Sequence, residues 1–227
     1  MLIEKDNLDS LEYYVPKPWG REYLCWRSKS CAIWLLELNN LASTSFHCHT
    51  KKNTGLIVLD GKIQLSLINS EYILNPLEKI NIFRGRFHSS KCISENGAVM
   101  LEVEAPVDKR DLIRWEDNYG RENLSYEKKI LKFKNTDPRL TLEVNESESS
   151  FKTIYKNKKF ELIRGSSINE NNIESGLFIC LEGGLGVLDP LQLVIVPGDV
   201  CSSLIMKKLY SKFNVTADSI FLRILEN

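Results

Sequence analysis

Residues 46–61 read FHCHTKKNTGLIVLDG, a histidine pair followed by an apolar run and a tight turn. Around the pair, polar and apolar residues alternate, which predicts a β-strand. Residues two apart on a strand point to the same face, so His47 and His49 project together while Cys48 points away. The apolar run 56–59 then leads into Asp60-Gly61, a dipeptide typical of a β-hairpin.

The third histidine comes later, in the segment RGRFH at residues 84–88. The chain contains three histidines, and all of them lie in these two segments. Histidines scattered through a chain are usually unrelated polar residues. Two imidazoles on one strand and a third on another, however, can converge on one ion through neutral ring nitrogens. The pattern therefore predicts one divalent metal ion (zinc, iron, manganese or nickel) bound by His47, His49 and His88.

The segments around these motifs are short and alternate in polarity. Strand patterns occur near residues 22–26, 32–38, 63–68, 79–83, 88–94 and 98–104. Short strands separated by Gly, Asn and Pro predict an all-β sandwich or barrel. In the last segment, Met100, Glu102 and Glu104 share one face. If that face lines the barrel, Glu102 lies near the metal as a ligand or a general base; if it faces water, both glutamates are only solvated.

The two histidine segments resemble the two sequence motifs of the cupin superfamily. Residues 46–61 match the first motif, H-x-H followed by a glutamate and a glycine, except that Thr54 stands at the glutamate position. Residues 83–88 match the second motif, P-x-G-x-x-H, except that Phe83 replaces the proline. The resemblance implies a double-stranded β-helix, or jelly-roll barrel. Because a threonine hydroxyl is a poor ligand for a divalent cation, it also implies a three-imidazole site with open coordination positions.

The flanking segments are similar to the cupin domain of type II mannose-6-phosphate isomerases. They are KPWG at 17–20, LEVEAP at 101–106 and DLIRWEDNYGR at 111–121, and the resemblance covers about residues 16–121. It implies that Arg121 helps to shape the pocket and binds a phosphate, since a guanidinium can form two parallel charge-assisted bonds. The alternative is a surface ion pair between Arg121 and the acidic residues beside it, such as Glu116 or Asp117.

The second half of the chain repeats the pattern of the first. The segment GLFICLEG at 176–183 echoes GLIVLDG at 55–61, and SIFLRIL at 219–225 echoes the strand at 98–104. Such internal similarity predicts two tandem barrels, the second degenerate because it contains no histidine. We therefore expect a metal-binding barrel with an N-terminal lead-in at 1–121, a lysine-rich and acidic linker at 122–150, and a second barrel at 151–227.

The composition excludes several classes of partner. Lys+Arg and Asp+Glu both number 30, so no net charge is present to attract nucleic acid or an anionic membrane. Six cysteines without a C-x-x-C spacing are typical of reduced thiols in a cytosolic protein. The chain has neither an apolar run of membrane-spanning length nor a signal-peptide pattern at its beginning. We expect a cytoplasmic protein. Two structural roles are open for the second barrel: it covers the open face of the first barrel, or it forms the contact of a homodimer.

Three function classes remain open. In the first, a sugar-phosphate or nucleotide-sugar isomerase or epimerase of carbohydrate or surface-polysaccharide metabolism, the metal would polarise a carbonyl. Glu102 would carry the proton and Arg121 would bind the phosphate. The second class is the three-histidine iron-dependent dioxygenases, and the third is a non-catalytic sugar-binding cupin. A basic, polar pocket lining favours the phosphorylated or nucleotide-linked sugar, whereas an apolar lining favours the dioxygenase.

Overall fold

The computed structural model describes residues 11–122, 129–134, 136–142 and 150–227. The chain divides into two compact units. The first comprises Met1–Arg27 and Ala32–Thr141, and the second comprises Ser28–Cys31 and Leu142–Asn227. In the described residues, strands dominate both units.

The first unit contains two antiparallel sheets. Its strands are β1 (Tyr13–Lys17), β2 (Gly20–Arg27), β3 (Ala32–Leu38), β4 (Phe46–Cys48), β5 (Asn53–Asp60), β6 (Ile63–Leu67), β7 (Glu71–Leu74), β8 (Lys79–Ile82), β9 (His88–Cys92), β10 (Ala98–Ala105), β11 (Ile113–Glu116) and β12 (Leu131–Lys132). The seven-stranded sheet has the order β12-β1-β2-β3-β10-β5-β8, and the five-stranded sheet has the order β11-β4-β9-β6-β7.

Eight of these strands form a jelly roll. One sheet contributes β3-β10-β5-β8 and the other contributes β4-β9-β6-β7, so that the chain passes repeatedly from one sheet to the other. This order is that of a double-sheet jelly roll, which has no lone hairpin and few free edges. The prediction of an all-β jelly-roll barrel is therefore confirmed for the first unit.

The interior of the first barrel follows from the two-residue period of its strands. Leu56 and Val58 of β5 and Met100 of β10 point into one apolar cluster, together with Trp34 and Leu36 of β3. All five side chains are at most 3% exposed. Glu102 and Glu104 continue the face of Met100 along β10, so the strand carries its two carboxylates towards the barrel interior.

The second unit contains a five-stranded and a three-stranded sheet. Its elements are β13 (Ser150–Tyr155), β14 (Lys158–Arg164), β15 (Leu177–Glu182), β16 (Leu185–Leu188), β17 (Leu191–Ile195), β18 (Val200–Ser202), α1 (Ser203–Tyr210), β19 (Asn214–Val215) and β20 (Ile220–Glu226). The sheets have the orders β13-β14-β20-β15-β18 and β17-β16-β19. The larger sheet repeats the arrangement β2-β3-β10-β5-β8 of the first unit.

One strand of the jelly roll has no counterpart among the described residues of the second unit. Between β14 and β15, where the first unit has β4, the chain forms two 3-10 turns, Gly165–Ser167 and Glu170–Asn172. Asn169 caps the second turn, because its side chain accepts the backbone N–H groups of Asn171 and Asn172. The second barrel is thus degenerate in its strands as well as in its lack of histidine.

The described part of the predicted linker at 122–150 contributes to the first unit. Tyr14 of β1 pairs with Leu131 of β12, and the ring of Phe133 lies 5.0 Å from that of Tyr23. The division into 1–121, 122–150 and 151–227 stays a prediction. All six cysteines fall in the described residues, where they are buried and form no disulfide bond. In the same part of the chain, no helix combines the length and hydropathy required to cross a membrane.

Candidate metal centre

The three histidines converge at one end of the first barrel. His47 of β4 is the register partner of His88, the first residue of β9. His49 lies two residues after His47 and therefore points to the same side. One ring nitrogen from each histidine lies within 4.8 Å of those of the other two. The predicted cluster of His47, His49 and His88 is present.

Backbone carbonyl groups orient the three rings. The Nδ1 atoms contact carbonyl oxygens as follows: His47 with Ser45 at 2.7 Å, His49 with Asp111 at 2.5 Å, and His88 with Arg86 at 3.1 Å. Because a carbonyl oxygen can only accept, each Nδ1 carries the hydrogen and each Nε2 offers a lone pair. A second-shell bond of this kind is typical of metal-binding histidines.

The surroundings keep the imidazoles neutral. Burial lowers the pKa of His47 well below its usual value, and the neighbouring His88 and His49 lower it further. Burial, followed by the charge of Lys52, lowers the pKa of His49 to about 3. Burial also lowers the pKa of His88. Neutral imidazole is the form that binds a metal ion.

The residues of this cluster fit a divalent ion. The Nε2 atom of His49 is buried and has no hydrogen-bond partner in the described part of the chain. A buried polar atom without a partner is costly unless something binds it. An ion contacted by three neutral Nε2 atoms would satisfy it.

Asp111 holds the segment that follows the H-x-H pair, and the sequence did not single it out. Its carboxylate accepts the backbone N–H groups of Thr50, Lys51 and Lys52, at 2.8 to 3.0 Å, and its carbonyl accepts from His49. Burial opposes ionisation of Asp111, but the N–H groups of Lys51 and Thr50 outweigh it and lower the pKa to about 2. Its position at the start of the 111–121 motif was the available signal.

Glu102 lies beside the histidines on the inner face of β10. Its Oε1 atom is 4.0 Å from Nε2 of His49 and 4.0 Å from Nζ of Lys52. Burial opposes its ionisation, but the charges of Lys109 and Lys52 outweigh burial and hold the pKa of Glu102 well below its usual range. The strand face that carries Met100, Glu102 and Glu104 thus points into the barrel interior and not towards solvent.

The cavity next to the histidines is rich in basic groups. Its lining comprises Lys17, Trp19, Glu22, Leu36, Thr44, Ser45, His47, His49, Lys52, Glu102, Lys109, Leu112, Arg114 and Arg121. Arg121 is among the residues that line the cavity. Its fork also faces Asp117, with Nε 2.9 Å from Oδ2 and Nη2 2.7 Å from Oδ1. Both of the roles considered for Arg121 have a structural basis.

Lys17, Glu22 and Lys109 form a further charged cluster in this cavity, which the sequence analysis did not predict. The Nζ atoms of Lys17 and Lys109 lie 3.3 and 3.4 Å from the same oxygen of Glu22. Lys109 also lies over the ring of Trp34, with Nζ 4.1 Å from its centroid. Burial opposes protonation of Lys109, but Glu102 and Glu22 outweigh it and raise its pKa well above the usual value. The KPWG segment was the only signal for this group.

No protein-family model matches the chain, and no curated protein matches its sequence. Several solved structures match part of it. KdgF from Halomonas sp. has a TM-score of 0.41 and 12% identity, over 43% of this chain and 87% of its own. The capsular polysaccharide assembling protein CapF from Staphylococcus aureus has a TM-score of 0.41 and 18% identity, over 46% of this chain and 34% of its own. A cupin-superfamily sugar phosphate isomerase from Silicibacter pomeroyi has a TM-score of 0.39 and 17% identity, over 44% of this chain and 74% of its own.

Proposed function

We propose that this chain is a metal-dependent cupin protein that acts on a sugar phosphate or a nucleotide sugar. The reaction is of the isomerase or epimerase type, in carbohydrate or surface-polysaccharide metabolism. One divalent ion is bound by the Nε2 atoms of His47, His49 and His88. A cytoplasmic location and a homodimer stay predictions.

The observation that carries this proposal is the charge of the cavity lining. Five lining residues are basic (Lys17, Lys52, Lys109, Arg114 and Arg121) and two are acidic (Glu22 and Glu102), a difference of +3. Adding the buried partners Glu104 and Asp117 reduces this difference to +1. A divalent ion would raise it again by two charges. A cavity of this sign favours an anionic ligand, and a phosphate supplies the required charge.

Glu102 is suited to the proton transfer of an isomerase. A divalent ion at the three histidines supplies a Lewis acid that polarises a carbonyl group. Glu102 Oε1 lies 4.0 Å from Nε2 of His49, so its carboxylate is placed to accept a proton from the carbon beside that carbonyl. Glu22 is less suited to this task, because Lys17 and Lys109 both contact one of its oxygens.

Two cations are candidates for the phosphate contact. Arg121 has a side chain that is 9% exposed and shares its charge with Asp117. Lys109 has a side chain that is 14% exposed, against 4% for Lys17 and 1% for Lys52. Lys109 is thus the most accessible of the three cavity lysines. We assign Arg121 and Lys109 jointly to the anionic group of the substrate.

The neutral three-imidazole set favours a second candidate, an iron-dependent dioxygenase. Such an enzyme acts on a thiol or diketone and is expected to have a more apolar pocket. Trp19, Leu36 and Leu112 are the apolar members of this lining. The basic lining therefore ranks the dioxygenase second. Oxygen uptake by the iron-loaded protein in the presence of thiols would reverse this order.

The proposal is tested by thermal stabilisation, which needs no known substrate. Metal-loaded protein is screened against sugar phosphates, nucleotide sugars and unphosphorylated sugars. We expect stabilisation by the phosphorylated or nucleotide-linked sugars only, and its loss in Arg121→Lys and Lys109→Met. The control is Lys51→Met, which removes a lysine whose side chain is 70% exposed. Equal stabilisation by unphosphorylated sugars, or none by any sugar, would contradict the proposal.

Arg121→Lys also separates the two roles of this arginine. Lysine carries a single point charge and cannot replace a planar fork that binds two oxygens. Loss of ligand stabilisation with an unchanged melting temperature of the free protein supports the substrate role. A fall in that melting temperature of about 3 °C or more, without loss of ligand stabilisation, assigns Arg121 to Asp117 alone.

A further inference from the structure

Position 54, where the cupin motif has a glutamate ligand, lies opposite another carboxylate. In the pairing of β5 with β10, Thr54 is the register partner of Glu104. Both residues lie on the inner face, at 2% and 0% exposure. Side chains directly opposite on antiparallel strands have Cβ atoms about 5 Å apart. Whatever occupies position 54 therefore meets the side chain of Glu104.

Glu104 is held in place by two donors. The Lys52 ammonium contacts its Oε2 atom, and the indole Nε1 of Trp34 donates to its Oε1 at 3.0 Å. Lys52 is itself buried, with a side chain that is 1% exposed. The backbone N–H of Lys52 donates to Asp111, which also orients His49. The Lys52–Glu104 pair is thus built into the wall of the metal centre.

A carboxylate at position 54 would be a like charge at close range to Glu104. Two carboxylates directly across a strand pair destabilise it, and burial increases the cost because little water screens them. Lys52 could neutralise one of them but not both, and Glu102 already lies 4.0 Å from the same ammonium. The threonine is compatible with this arrangement because it is small and uncharged.

We infer that the buried Lys52–Glu104 pair determines the ligand set of the metal centre. The interior can hold a carboxylate at position 104 or at position 54, and this chain has it at 104. The ion would therefore bind to the three imidazoles without a carboxylate from position 54, which keeps that coordination position for the substrate. This inference rests on the metal site of the proposed function and adds the residues that select its ligands.

The experiment is a double-mutant cycle at positions 54 and 104, read without any substrate. The variants are Thr54→Glu, Glu104→Gln and the double variant. Thr54→Gln is the matched control, because it has the size of glutamate without the charge. We expect metal-free Thr54→Glu to melt about 5 °C or more below Thr54→Gln. Adding Glu104→Gln to Thr54→Glu should recover most of that loss.

Metal affinity provides the second measurement. In the double variant the new carboxylate can pair with Lys52 and reach the ion, so Mn²⁺ should bind about tenfold more tightly than to wild type. The gain for Thr54→Glu alone should be smaller. Titration calorimetry with Mn²⁺ on metal-free protein measures both affinities.

Two results would overturn the inference. One is a Thr54→Glu variant that melts together with Thr54→Gln, since the two positions are then not coupled by charge. The other is a double variant with the Mn²⁺ affinity of wild type, since position 54 then does not face the ion. If wild type bound no divalent ion, the proposed function would fail, while the metal-free melting temperatures would still test the charge coupling.

Discussion

The two barrels of this chain share a strand order but differ at β4, the strand that carries His47 of the histidine cluster. The order β3-β10-β5-β8 of the first unit returns as β14-β20-β15-β18 in the second, and β9-β6-β7 returns as β19-β16-β17. The counterpart of β4, which carries the first histidine of the H-x-H pair, is replaced by 3-10 turns. A jelly roll thus keeps its larger sheet without β4, which implies that β4 serves the site more than the scaffold.

The charged groups of the two barrels show the same contrast. In the first, Glu102 lies 4.0 Å from His49 and from Lys52, beyond hydrogen-bond distance, and the charge of Lys109 acts on it as well. In the second, Arg223 contacts Glu161 at 3.4 Å and donates to the carbonyl and hydroxyl oxygens of Ser175. A carboxylate bound in this way is satisfied by the protein itself. A carboxylate like Glu102 retains capacity for a ligand.

The largest expected effect is loss of the metal when the first barrel loses a histidine. Wild type should carry about one divalent ion per chain, and His49→Ala should carry none, because a three-imidazole site cannot lose one ligand cheaply. Elemental analysis after gel filtration measures the content. The second barrel remains intact in this variant. Equal metal content in wild type and in the His47→Ala/His49→Ala variant would show that the ion binds elsewhere.

Removal of the second barrel should have an effect nearly as large as the loss of a histidine from the first. We predict that a chain ending at residue 150 is insoluble or misfolded, because unpaired strand edges promote aggregation. The compact unit of the second barrel also includes Ser28–Cys31, a turn that the truncated chain would retain without its unit. Solubility and gel filtration measure the outcome. A soluble, monomeric and metal-loaded 1–150 chain would make the second barrel an independent module.

A smaller effect tests whether the corresponding turns of the two barrels are equally tight. A Cβ at Gly61 (φ +74°) would lie 2.5 Å from the carbonyl oxygen of Gly97, and one at Gly183 (φ +63°) would lie 2.7 Å from Oγ of Ser219. Alanine at either position should lower the melting temperature by about 5 °C or more, through overlap and a left-handed backbone.

Gly85 is the control for these turns. It also has a positive φ of +78°, but a Cβ there would have no heavy atom within 4 Å. Gly85→Ala should therefore show only the backbone strain, about 1 to 2 kcal/mol. If the melting temperatures of all three variants fell by the same amount, the close approach at Gly61 and Gly183 would not be the cause of the destabilisation.

The sequence predicted the parts of this molecule that follow from periodicity. The alternation around His47 and His49 predicted their shared face, and the alternation along β10 left two choices for Glu102, one of which is observed. Contacts between distant segments were out of reach. The bond from His49 to the Asp111 carbonyl spans 62 residues, and it involves a backbone group that every residue carries. The Lys17–Glu22–Lys109 group likewise depends on how three segments pack.

The missing strand of the second barrel shows the same limit. Residues 165–176 lack the polar–apolar alternation of a strand, but the absence of a pattern does not specify which structure replaces it. The Asn169–Asn172 pair, which caps the 3-10 turn through its side chains, was a local signal. That this turn takes the place of a strand became clear only by comparison with the strand order of the first barrel.

The carbonyl groups that hold the three imidazoles have a kinetic consequence. Ser45, Arg86 and Asp111 belong to three separate segments of the chain, so the ring orientations are set once these segments have folded. An arriving ion then meets ligands that have little rotational freedom left to lose. Metal exchange in the folded protein should accordingly be limited by passage through the cavity mouth and not by rearrangement of the ligands.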